Sequence, residues 1–202
     1  MQQYKKHIAL IIFTLLGNSA YAGQSVWADA YALQKKGEFS RAAERLRQAP
    51  AIQKDEYALL RIAYLNYLDG RHNESIRYYE QALKRNPHSL DARLGITLPL
   101  IAQQRWRQVK AQMEQLLRSA PWHYGAHIKL MLAEEGLADW PTLARHATSL
   151  TKAYPSDASS WVYLARASLW SGDEERAKAA YQEVLKRLPG HIEAMNYMAK
   201  SR

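Results

Sequence analysis

Four residues in one short stretch, His123, His127, Glu134 and Glu135, are of the types that hold a metal or move a proton. Histidines four apart share a helix face and can ligate zinc, and carboxylates downstream could complete the set as ligand or general base. The pattern departs from that of the zinc proteases, because Tyr124, not a glutamate, follows His123. The pair also falls where a helix only begins, and surface or packing histidines are the commoner source of such spacing. No phosphate-binding glycine loop, nucleophile elbow or inward-facing pair of carboxylates occurs elsewhere in the chain. A metal-dependent hydrolase is therefore the third-ranked reading, and the expectation is a non-enzymatic protein without cofactor or metal.

A second set of residues suits recognition better than catalysis. The chain holds 13 tyrosines and 6 tryptophans, and many of them recur at helical spacing. Tyrosine and tryptophan offer broad apolar area with a hydrogen-bonding edge, which fits an extended or helical peptide lying in a groove. Their rings also stack on sugars. The competing explanation is ordinary core packing, since aromatics at helical spacing mostly face a neighbouring helix.

The elements that would carry these residues are announced by proline. Pro87, Pro121, Pro155 and Pro189 stand on a lattice of 34 residues without insertion or deletion. A fixed period of 20 to 50 residues marks a repeat architecture. Each repeat has the same two-helix grammar, clearest between Ala158 and His191. Trp161, Leu164, Ala165 and Ser168 share one face of a first helix; Gly172-Asp173 stops it and caps the next; Ala177, Tyr181 and Val184 line the second, and Pro189 ends it. Small residues at Ala165 and Ala177 let the two helices approach closely. Pro99 interrupts the third first-helix, which predicts a kink or early break near Leu98. Pro141, at a second-helix start, is well tolerated.

In this register the chain resembles the tetratricopeptide repeat. The last full unit supplies Trp161, Leu164, Ala165, Gly172, Ala177, Tyr181 and Pro189, and the unit from Glu56 supplies Ala63, Gly70, Tyr79, Ala82 and Pro87. The first has Ala30, Gly37, Phe39, Ala42 and Ala49 but Lys54 where proline belongs. Two units are degenerate: one keeps Ile96, Trp106 and Pro121 with Gln104 at the glycine position, the other Leu130, Trp140 and Pro155 with Ala138 there. The resemblance implies an all-α solenoid, an α-α superhelix of about five helix pairs (23–55, 56–89, 90–123, 124–157, 158–191) plus a C-terminal capping helix over 192–202, forming one domain from residue 23. In that family first helices line a concave surface. The positions that tend to face it here include Trp27, Tyr31, Tyr57, Arg61, Tyr64, Tyr67, Leu98 and Ile101, then Lys129, Leu132, Tyr163, Arg166, Leu169 and Trp170. The family's carboxylate clamp of lysines and asparagines is not reproduced, which argues against docking to cytosolic chaperones. Similar arrays also accompany exopolysaccharide export.

Residues 1–22 read as a secretory signal: Lys5 and Lys6, then the apolar run Ile8 to Leu16, then Ala20-Tyr21-Ala22 before the expected cleavage. That run is about half the ~20 residues needed to span a bilayer, so the mature protein is expected to have no membrane span. With no cysteine there is neither a disulfide nor a lipid-modified cysteine. In a double-membraned bacterium the periplasm follows as the expected location. The formal charge is +9, of which Lys5 and Lys6 contribute two. Export argues against nucleic acid, although an anionic polysaccharide remains compatible with this balance. The reading is thus an exported interaction scaffold binding a protein or peptide in its concave groove, within an envelope assembly or secretion system. The alternative is a polysaccharide-binding or exopolysaccharide-export scaffold.

Overall fold

The structure, a computed structural model, describes residues 25–52 and 55–200; the signal sequence expected over 1–22 lies outside them. Among the described residues there are helices and turns and no strand. The chain divides into two compact units, Met1–Gln103 and Gln104–Arg202. The first contains α1 (25–35), α2 (Phe39–Arg47), a 3-10 turn (Pro50–Ile52), α3 (Glu56–Leu68), α4 (His72–Arg85) and α5 (Leu90–Ala102). The second contains α6 (Trp106–Ser119), α7 (Tyr124–Gly136), α8 (Trp140–Ala153), α9 (Ala158–Trp170), α10 (Glu174–Arg187) and α11 (Ile192–Lys200). No helix among the described residues is long and apolar enough to cross a membrane.

The lattice prolines act through the residue before them. Helices α4, α6, α8 and α10 each stop two residues short of a lattice proline, at Arg85, Ser119, Ala153 and Arg187. Their C-caps Asn86, Ala120, Tyr154 and Leu188 have ψ between 69° and 91°, out of the helical region that a following proline disfavours. First helices start on side-chain caps: Asp55 accepts from the Tyr57 amide at 2.9 Å, Ser89 from Ala92 at 3.2 Å, and Asp157 from Ser159 and Ser160.

Between the helices of every pair the chain needs one left-handed residue. Gly37, Gly70 and Gly172 take it at φ of 76°, 75° and 79°, and in the degenerate pairs Gln104 (53°) and Ala138 (54°) take it too. The turn survives loss of glycine because the helices on both sides are held by packing, at the cost of a strained residue.

Helix α5 runs unbroken through Pro99 to Ala102, contrary to an early break near Leu98. Proline forfeits the bond to the residue-95 carbonyl, but only one more turn follows, so little of the helix depends on it. Pro99 is buried, and the Gln103 amide closes on its carbonyl at 3.2 Å.

Each unit has its own core. In the first, Ala30, Ala42, Leu46, Ala58, Ile62 and Leu65 pack together. In the second, Met131, Leu143, Ala147, Leu150, Ala165, Tyr181 and Val184 do so. Ala165 and Ala177 are both fully buried, as close approach of α9 and α10 requires. Two glycines admit aromatic rings: a Cβ on Gly95 would lie 2.3 Å from the Tyr79 ring, and one on Gly136 would lie 2.5 Å from Trp106. The last helix turns Ala194 inward and leaves Met195 exposed.

Candidate functional site

The candidate first-helix positions divide between the two units. In the first unit, α1 and α3 bring Trp27, Tyr31, Tyr57, Arg61, Tyr64 and Tyr67 into one run of contacts. The Trp27 and Tyr57 rings lie 5.1 Å apart, and the Tyr31 and Tyr57 hydroxyls are hydrogen-bonded at 2.8 Å. The Arg61 guanidinium sits 4.7 Å from the Tyr31 ring centroid and 5.7 Å from that of Tyr64, and donates to the Gln34 amide oxygen. Tyr64 approaches Tyr67 at 6.3 Å, and Tyr67 approaches His72 at 5.8 Å. Tyr31 is 41% and Tyr57 48% exposed, so the outer end of this ladder is open to a partner. No carboxylate pairs with Arg61 among the described residues, which leaves its charge held by π faces and one amide. Hydrogen bonding to Tyr31 and burial hold the Tyr57 phenol protonated above its usual range. Leu98 and Ile101, on α5, are half-buried.

The face of the second unit is built differently. Arg166 on α9 is clamped between two carboxylates, Glu135 at 3.2 Å and Glu193 at 2.6 Å, and Glu193 also accepts from the Tyr181 hydroxyl at 2.7 Å. The Arg166 hydrogen bonds hold Glu193 below the usual carboxylate range and raise Arg166 itself. Its fork is thus spent inside the protein. Tyr163 is half-buried and burial pushes its phenol up to about 12. Lys129, half-buried on α7, is lowered by desolvation, and no carboxylate pairs with it among the described residues. Leu132 is half-buried and Leu169 exposed. Trp170 is 68% exposed and stacks on Trp140, rings 5.5 Å apart and 10° from parallel. The family resemblance nominated Trp170 but not Trp140, because the pair joins two different helices.

The histidine and glutamate constellation separates into local structure. His123 caps α7, its Nδ1 accepting from the Ala126 amide at 3.2 Å, and Glu135 belongs to Arg166. His127 Nδ1 meets His146 Nε2 at 2.8 Å, its Nε2 donates to the Pro121 carbonyl at 2.7 Å, and His146 Nδ1 lies 3.0 Å from Glu134. Burial lowers His127. Among the described residues no group of three or more such side chains could hold a metal. His146, absent from the sequence-level constellation, is the partner that organises it.

Comparison with known proteins agrees with this architecture. Models of the tetratricopeptide repeat match residues 67–127 and 159–191. No curated protein matches. Among solved structures, MamA 41-end from Desulfovibrio magneticus RS-1 is similar at TM-score 0.75 and 14% identity, covering 85% of this chain and 97% of that one. YrrB, described as a tetratricopeptide protein with an unusual peptide-binding site, matches at TM-score 0.72 and 13% identity over 88% of this chain and 91% of its own. A tetratricopeptide repeat protein from Parabacteroides merdae ATCC 43184 matches at 0.78 and 13%, over 89% and 72%. At these identities the structures share the fold, and the two matching models, in register with the helix pairs, show tetratricopeptide repeats at residues 67–127 and 159–191.

Proposed function

We propose that this protein is a non-enzymatic interaction scaffold whose first-helix face in the unit Met1–Gln103 receives a protein or peptide segment. The observation that carries this reading is the open tyrosine ladder with Arg61 inside it. A peptide backbone finds hydroxyls at Tyr31 and Tyr57, its apolar side chains find the rings, and an acidic side chain finds a guanidinium with no internal carboxylate partner. The peptide-binding site ascribed to YrrB, a neighbour in fold, supports the same use of this architecture. The basic and apolar character of residues 1–22 supports export, with work in a bacterial envelope assembly or secretion system.

Panning a random peptide library on the mature protein tests the reading. Peptides enriched in acidic and aromatic or aliphatic residues are expected, with affinity falling about tenfold or more in Tyr57→Ala/Arg61→Ala. Enrichment that survives the double substitution counts against the ladder.

A second reading, a polysaccharide-binding scaffold, is favoured by Trp170, which is exposed and stacked on the partly buried Trp140. Binding to a glycan array that is lost in Trp170→Ala would support it, and an array without signal would set it aside.

A further inference from the structure

The two units contain clefts at equivalent places in the repeat, both lined by arginines but differing in whether those arginines are paired with carboxylates. In the first unit a cleft of about 680 Å³ lies among α2, α3 and α4; in the second, one of about 700 Å³ lies among α8, α9 and α10. The left-handed turns fix the register: aligning Gly37 with Ala138 and Gly70 with Gly172 sets Glu44 against Arg145 and Glu74 against Arg176.

In the first cleft the charges cancel. All five arginines lining it are paired, Arg47 with Glu44 at 2.6 Å, Arg77 with Glu74, Arg41 with Glu38, Arg45 with Asp29 and Arg71 with Asp69, and the Asn66 amide donates to the Ile62 carbonyl at 2.7 Å. In the second, both glutamates have become arginines. The arginines that paired with them have become Thr148 and Ala179, Gln48 has become Ser149, and Asn66 has become Ser168. The swap removes two acids and shortens the wall into hydroxyls.

Arg145 and Arg176 are left without a carboxylate among the described residues. Arg176 donates to the Thr148 hydroxyl at 2.6 Å and Arg145 to that of Thr142 at 3.1 Å. Ser168 is 2% exposed, and its hydroxyl has no hydrogen-bond partner among the described residues. Asp173, the one carboxylate lining the cleft, accepts from the Arg176 amide at 3.1 Å as a helix cap. Pro141 and Ala144 add an apolar part to the lining.

We infer that the cleft among α8, α9 and α10 binds a phosphate group, free or carried on a small ester. Two guanidinium forks match the oxygens of a phosphate dianion, and the unpartnered Ser168 hydroxyl can donate to one that remains, while Thr148 and Ser149 already donate to the Ala144 and Arg145 carbonyls. A cleft of this size has room for a carbon skeleton beyond the phosphate. This site is separate from the tyrosine ladder, and its test is independent of peptide binding.

Titrations of the full mature protein with inorganic phosphate, glycerol 3-phosphate and acetate, followed by amide chemical shifts at low salt, decide the matter. Phosphate or its ester is expected to bind about tenfold or more tightly than acetate, with shifts centred on Arg145, Ser168 and Arg176. A tighter ester identifies an esterified ligand; equal affinities identify free phosphate as sufficient. Arg145→Glu/Arg176→Glu, which installs the residues of the first cleft, is expected to abolish binding while leaving the helical circular dichroism intact. Absence of binding, binding equal to acetate, or binding retained in the double variant overturns the site.

Discussion

Arg61 and Arg166 both stand on first helices, and the residues around each decide what it can do. Arg166 is clamped by Glu135 and Glu193, so Arg166→Ala is expected to lower stability by roughly 1 kcal/mol, the scale of a partly exposed ion pair, as read by thermal melting. Arg61→Ala, with no ion pair to lose, should melt close to wild type and instead weaken peptide binding. His127 gives a pH signature of its own. Burial lowers its pKa in the fold, so the unfolded chain takes up the proton first, near pH 6.5. The stability tied to this group is therefore present above that pH and is lost as pH falls from there through the folded value. Melting temperature measured from pH 7.5 to 5 should decline more steeply in wild type than in His127→Gln. Parallel profiles would show that the His127 and His146 contact contributes nothing.

The helix pairs were legible in the sequence because their signals are local. A proline displaces the residue before it, an aspartate caps the helix that follows it, and both effects act within a turn. The degenerate repeats were harder to read, since Gln104 and Ala138 do the work of glycine while giving no sign of it. The left-handed cost they bear predicts that Gln104→Gly and Ala138→Gly each stabilise the protein by about 1 kcal/mol, measurable by denaturant titration; no gain would mean that neighbouring packing has relaxed the strain. The opposite holds at Gly136, where an added methyl would enter the Trp106 ring. Gly136→Ala should cost about 1 to 3 kcal/mol, and a neutral result would show that the indole shifts freely. Pro99 misled because its penalty depends on how much helix lies beyond it, and α5 ends three residues later.

Across the whole chain, the sequence named the face but not its internal pairing. Tyr31, Tyr57, Arg61, Tyr64 and Tyr67, which the family resemblance assigns to the first-helix face, are in contact along α1 and α3. The Arg166 clamp, the His127, His146 and Glu134 chain and the Trp140/Trp170 stack were not legible. Each joins residues from different helices, between 12 and 31 positions apart, where one side chain has reach to several neighbours and periodicity cannot choose. The central claim is that the tyrosine ladder of the first unit is where a partner binds. Its most direct test is calorimetric titration of a panned acidic peptide into wild type and into Arg61→Glu, which reverses the charge within the ladder. Loss of detectable heat in the variant, with unchanged melting temperature, is the predicted result; equal affinity for both proteins would contradict it.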